Sequence, residues 1–255
     1  MCRARTGGPD RSGGDGMTIS VIIPTLNEAP RLATLVAAVA AEPVDHEIIV
    51  IDGGSDDGTR DIAHRLAVTV LETAPGRGRQ LAAGAAKAGG EVLLFLHADT
   101  LFPAGGLTAI DNIVAARPDI VGGNFRLLFD GDDGFSRWLD GFYAWIRARG
   151  FYYGDSGVFV RRHVYDDLGG MRPIALMEDF DFNRRMERGG PTVCIDEPAL
   201  MSSSRRFQGR HPAAIVAGWF FIHGLFLLGA SPDWLARLYN SARRRQPPPV
   251  SSSVA

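Results

Sequence analysis

Four short apolar runs, at residues 18–23, 47–51, 68–71 and 91–96, alternate with stretches of helical spacing at 29–41, 57–66, 77–88 and 107–116. Continuous apolar runs of this length mark strands buried on both faces. Each crossover must return over the sheet, so this rhythm predicts mostly parallel strands with helices on both faces. A further run at 120–128 reads as another strand. Past residue 129 the rhythm changes: an aromatic-rich helix is expected over 134–149, a short strand over 157–161, a helix over 179–188 and a late strand over 192–195.

The chain has 255 residues, 45% hydrophobic and 22% charged, which suits one large α/β domain with its own core. Its formal net charge of -2 gives no reason to expect a nucleic-acid partner. Cys2 and Cys194 lie far apart and read as free thiols, which implies a reducing compartment and no cysteine metal site. Residues 1–16 and 242–255 are polar and read as disordered tails around a domain over 17–210 and an apolar helical segment over 211–241. Within that segment, 213–230 contains no charged residue and is short of the ~20 residues a spanning helix needs. A buried or interface helix is the first reading, with a homodimer contact or docking on a membrane as sharper ones.

Acidic clusters follow the strands. Asp52-Gly53-Gly54-Ser55-Asp56-Asp57 ends the second run, His97-Ala98-Asp99 ends the fourth, and Glu178-Asp179 opens a helix. Carboxylates at strand ends in an α/β sheet gather on the rim where ligands bind. Pro24, Thr25, Asn27 and Glu28 follow the first strand and supply polar groups at its edge, either as a turn with a helix cap or as a shelf for a nucleotide base and ribose. Asp52 would accept hydrogen bonds from a base or ribose, with Gly53 and Ser55 in the same turn. Arg77, Arg79 and Gln80 open an Ala-rich helix, where a phosphate or base can be held. The glycines there match neither a dinucleotide fingerprint nor a P-loop.

Asp99 is the expected ligand for Mg²⁺ or Mn²⁺, since a diphosphate with its cation needs hard oxygen donors. His97 is the second candidate and suits Mn²⁺ better. Glu178 and Asp179 offer a general base for an acceptor hydroxyl, with one acid free to ionise while the other orients. Arg205 and Arg206 would clamp diphosphate charge. Gly154, Asp155 and Ser156 are either a turn or a contact to sugar and acceptor.

Taken in order, SVIIPTLNEA (20–29), IDGGSDDGT (51–59), HADT (97–100) and MEDFDFNRRMERGG (177–190) resemble the family 2 glycosyltransferases with the GT-A fold, and GRGRQLAAGA (76–85), GDSGVFVRR (154–162) and SSRRF (203–207) resemble a compact bacterial subgroup. The resemblance implies inverting transfer from a nucleoside diphosphate sugar, UDP-linked in most members. It implies Asp52 on the base, Ala98 and Asp99 at the nucleotide, Asp99 on the metal, and Asp179 as catalytic base. His97 departs from the family's usual Asp. The apolar segment favours a lipid or other apolar acceptor handled in the cytoplasm at the inner face of the membrane. A nucleotidyltransferase would need a basic Gly-rich loop where Pro-Thr-Leu-Asn-Glu stands, and a degenerate sugar-nucleotide binding module would have no need of both Asp99 and Asp179.

Overall fold

The computed structural model describes residues 17–204 and 211–244. Strands β1 (Ile19–Thr25), β2 (His46–Asp52), β3 (Thr69–Glu72) and β4 (Val92–Phe95) alternate with helices α1 (Ala29–Ala40), α2 (Thr59–Arg65) and α3 (Arg77–Lys87). A two-residue strand β5 (Thr100–Leu101), α4 (Gly106–Ala116), β6 (Gly122–Phe129) and α5 (Gly134–Arg147) follow. The second half adds β7 (Val158–Arg161), α6 (Arg162–Asp167), α7 (Glu178–Gly189), β8 (Thr192–Ser202), α8 (Pro212–Leu227) and α9 (Pro232–Arg244).

The strands form one sheet in the order β3-β2-β1-β4-β7-β6-β8-β5. β1 pairs in parallel with β2 and β4, β2 with β3, and β6 with β8, while β7 runs antiparallel between β4 and β6. The strand order reverses beside β1, where β2 lies on one side and β4 on the other. A crevice opens at such a point outside the carboxyl ends of the strands. Register sets Thr25 opposite Asp52 and Asp52 opposite Glu72, so three polar strand ends share that rim.

The period of two along β1 divides the core. Ile19, Val21 and Ile23 pack with α1, α4 and α5 on one face, and Ile22 packs with Leu81 and Ala85 of α3 and with Phe182 and Met186 of α7 on the other. α3 and α7 therefore share the face whose upper edge holds the acidic residues.

The late strand was expected to stop at residue 195, but β8 runs to Ser202. Its register against β6 shifts between Phe125 and Leu127, where Glu197 and Pro198 interrupt the apolar pattern. A bulge absorbs residues that cannot pair, so the strand resumes beyond them. The expected tail from residue 242 also needs correction, because α9 continues through Arg244. Among the described residues no helix is long and apolar enough to cross a membrane.

Candidate active site

The two loops leaving β1 and β2 are stitched together by side chains. The Asn27 N–H donates to Ser55 Oγ at 2.9 Å, and Asn27 Oδ1 accepts the Asp56 N–H at 3.0 Å. The Glu28 N–H donates to Thr59 Oγ1, and the Ala29 N–H to Asp57 Oδ2. Asp52 is buried and serves its own turn: Oδ1 accepts the Gly54 and Ser55 N–H groups at 2.9 Å each, and Oδ2 accepts the Ser55 hydroxyl. An Asp at a strand end with a following Gly-Gly-Ser favours this closed turn. Pro24 is half-buried and Asn27 is exposed at the mouth of the rim.

Gln80 lies beneath that rim. Its Nε2 donates to the Thr25 and Ile51 carbonyls, both at 2.8 Å, so it ties the ends of β1 and β2 together. Its amide hydrogens are thus engaged with backbone. Gly53 has Gln80 against it, leaving no room for a Cβ. Arg79 points outward and donates to the Pro75 carbonyl at 3.3 Å.

One turn before Gln80 on the same helix, Arg77 reaches the other half of the site. Its Nε donates to Glu178 Oε1, and its Nη2 stands 3.3 Å from Asp179 Oδ2. This approach depends on Gly78, where a Cβ would lie 2.7 Å from the Arg172 carbonyl oxygen and 3.1 Å from Glu178 Cβ. Only a residue without a side chain lets the start of α3 sit so close to the 172–178 segment.

Asp179 lies in the first turn of α7, whose N-terminal dipole favours negative charge. Its Oδ2 accepts the Gly154 N–H at 2.8 Å and its Oδ1 the Phe180 N–H at 2.8 Å. Burial pushes this carboxyl up, but Arg77, these two amides and His97 outweigh it and hold it below the usual carboxylate range. Glu178 moves the other way: burial raises it, against the pull of Arg77, and the neighbouring Asp179 charge adds to the rise. Environments that drive two adjacent acids apart assign them different roles. The preceding Met177 holds a positive φ of 66°, a conformation that costs energy and recurs at functional turns.

His97 follows β4 with Nε2 3.3 Å from Arg77 Nη1. Burial, then Arg77, lowers it to about 4, so the ring is neutral at pH 7. The Arg77 guanidinium thus sits beside Nε2, and Asp99 is half-buried at the next turn. Among the described residues no three His, Cys, Asp or Glu side chains gather as a preformed metal cage. A single carboxylate nevertheless fits a cation held mainly by substrate phosphates, as Mg²⁺ commonly is. Ala98 is buried between these two residues.

Gly154, Asp155 and Ser156 form a buried 3-10 turn against Asp179. Asp155 Oδ2 accepts the Tyr143 hydroxyl at 3.2 Å, and the Ser156 hydroxyl donates to the Tyr153 carbonyl. A Cβ on Gly154 would fall 3.1 Å from both Asp179 Oδ2 and His97 Nε2. Beyond Asp179, aromatic rings form a wall. Phe180 stacks with Tyr153 at 6.1 Å, meets His223 of α8 edge-on at 4.3 Å and touches Phe226 at 6.0 Å. Sequence reading missed this role for His223 and the pairing of Arg77 with the two acids. Arg205 and Arg206 lie outside the described residues.

A sheet of this order with acidic residues at its topological switch point is that of a GT-A glycosyltransferase. Solved structures agree at the level of fold. A Pyrobaculum calidifontis mannosyltransferase in complex with GDP-Man and Mn2+ matches with a TM-score of 0.61 and 19% identity, over 97% of this chain and 69% of its own. S. aureus TarS 1-349 in complex with UDP-GlcNAc matches with a TM-score of 0.58 and 17% identity, over 78% and 61%. Residues 20–175 match the Glycosyl transferase family 2 model, and the chain belongs to that family.

Among curated relatives, an uncharacterized glycosyltransferase alr2836 of Nostoc sp. is 34% identical over 126 residues, 46% of this chain and 39% of that protein. The Mycobacterium tuberculosis glucosyl-3-phosphoglycerate synthase is 28% identical over 99 residues, and the chain spans 31% of its length. A PGL/p-HBAD biosynthesis glycosyltransferase of Mycobacterium bovis is 28% identical over 238 residues, 88% of this chain and 85% of that protein.

Proposed function

We propose that the site transfers a sugar from a UDP-sugar to a hydroxyl of an apolar acceptor, with inversion at the anomeric carbon and Asp179 as the base. The observation that carries this reading is the split between the two acids. Asp179 is held ionised by Arg77 and two backbone amides beside the aromatic wall, whereas burial outweighs Arg77 at Glu178 and raises it. One available carboxylate suits a single displacement, in which the base takes the proton of the attacking hydroxyl and no enzyme nucleophile is needed.

The UDP assignment draws support from structural neighbours solved with UDP and UDP-GlcNAc, and a GDP-sugar is the competing donor. Asp99 would hold Mg²⁺ or Mn²⁺ against the diphosphate, and the cation would offset charge on the leaving group. Asn27 and the stitched rim around Ser55 would bind the nucleoside. Arg77 would orient Glu178 and hold Asp179 ionised. The rings of Tyr153, Phe180, His223 and Phe226 would line the acceptor's path.

Calorimetric titration of UDP and of GDP, each with Mn²⁺ and then with EDTA, tests this reading. UDP binding that needs the metal and vanishes in Asp99→Ala supports it. Binding of GDP alone overturns the donor assignment, and UDP binding unaffected by EDTA overturns the metal's role.

A further inference from the structure

Helix α8 breaks the ordinary rule for apolar helices. Its sequence PAAIVAGWFFIHGLFL has no charged residue and no polar face, yet among the described residues only Ile215 of this helix is buried. A helix apolar on every side normally lies inside a core. Here Phe220 is 63% exposed, and Leu227 and Leu228, at the tip of the turn before α9, reach 68% and 85%.

The exposed surface continues onto α5. Phe135, Trp138, Phe142 and Trp145 recur every three or four residues and stack in sequence with centroids 5.7, 5.0 and 6.2 Å apart. Phe142 then meets Phe220 of α8 at 6.5 Å. The amphipathic pattern of α5 therefore has two apolar stripes. Leu139, Tyr143 and Ile146 face the core, and the Trp ladder faces out.

The residues outside the described ones, 1–16, 205–210 and 245–255, are poor in apolar side chains: the larger ones are Met1, Cys2, Phe207, Val250 and Val254. Cations lie on or next to the same elements. Arg149 lies 3.9 Å over the Trp145 ring and donates to the Trp145 carbonyl, Arg137 donates to the Asp132 carbonyl, and Arg237 on α9 donates to the Asp233 carbonyl. Each guanidinium thus rests on backbone oxygen, with charge left to meet an outside anion. Arg243-Arg244-Arg245 follow in the sequence.

We propose that the α5 ladder and the α8–α9 hairpin form one docking face for an anionic lipid bilayer. α8, at 16 residues, is about 24 Å long against a hydrocarbon core of about 30 Å, so it enters one leaflet without crossing. Trp138, Trp145 and Trp234 sit at headgroup depth, where indole rings concentrate, and the arginines face lipid phosphates. Because α8 also carries His223 and Phe226, the docked helix brings one wall of the acceptor path to the membrane surface. The docking itself does not depend on the transferase reading.

Flotation of the full chain with phosphatidylcholine vesicles, with and without a third phosphatidylglycerol, tests the assignment without any turnover. The protein is expected to float with the anionic vesicles, with affinity falling roughly fivefold for each engaged arginine screened by salt. Its tryptophan emission should shift to the blue on binding. Leu227→Asp/Leu228→Asp should weaken flotation at least tenfold while keeping the wild-type melting temperature. Protein that stays unbound to both vesicle types, with unshifted emission, overturns the proposal. So does a stable dimer in light scattering that the double variant dissociates, which would assign the face to a second copy of this chain. Equal binding to neutral and anionic vesicles overturns the role of the arginines.

Discussion

Arg77 Nη2 stands 3.3 Å from Asp179 Oδ2, although 102 residues separate the two in the chain. The same guanidinium holds Glu178 through Nε and reaches His97 through Nη1. One cation thus links the start of α3, the end of β4 and the start of α7, and it acts on the charge of each group there against or alongside burial.

Replacing the base should separate binding from chemistry. Asp179→Asn keeps the shape and the Gly154 contact but cannot take a proton. Transfer is expected to fall about a hundred- to ten-thousand-fold, with donor affinity nearly unchanged. Turnover measurements alongside calorimetry check this, and unchanged turnover would remove Asp179 from the base role.

The pH dependence follows from the same cluster. Asp179 sits below the ordinary carboxylate value of about 4, so kcat/KM should not decline until the pH falls below that value. Arg77→Met removes the main charge that opposes burial, so the acid limb should move up by about 1–3 pH units. Arg77→Lys should recover part of that shift. Stability has the same sign: a depressed carboxylate contributes stability that is complete above its unfolded value and is lost as pH falls through the folded one. The Met variant also leaves Glu178 buried without its cation, at a cost of about 1–3 kcal/mol. Water reaching Arg77, whose side chain is 37% exposed, reduces that cost.

Gly154→Ala tests the packing around the base. The new methyl would press on Asp179 Oδ2 and His97 Nε2, each 3.1 Å away. A drop in kcat of at least tenfold with KM for the donor little changed is expected, since a displaced base loses its alignment with the acceptor. Wild-type kcat in this variant would show that the carboxylate has room to move.

Gln80→Ala probes the rim. It strips the Thr25 and Ile51 carbonyls of a shared donor in a buried place. Chemical denaturation should show a loss of about 1–3 kcal/mol. Nucleotide affinity should fall as well, because the β1 and β2 loops lose the tie beneath them.

The strand-helix rhythm of the first half was legible because doubly buried strands leave unbroken apolar runs, as at 91–96. The rim residues at 24–28 and 52–59 were legible as a group for a related reason: strand register alone sets Thr25 opposite Asp52. The extent of β8 was not, since Glu197-Pro198 resembles a strand end and only pairing with β6 carries the strand past it. α6 is too short, at six residues, to show a period. The partners of Arg77 and His223 were hidden because they depend on contacts across the fold, which local spacing does not encode. Gln80 was read as a ligand contact, and nothing in its local sequence announces that its amide is spent on two carbonyls.

The bare backbone at Gly78 bears on how members of this family can diversify. The 172–178 segment rests directly on the first turn of α3, and that turn carries both the tie beneath the nucleotide rim and the cation at the base. Under the proposed assignment, the acceptor side and the donor side are therefore geared together through a single turn of helix. A substitution that reshapes 172–178 to admit a new acceptor will also retune donor affinity, so shifts in acceptor choice should evolve with compensating changes near residues 76–80.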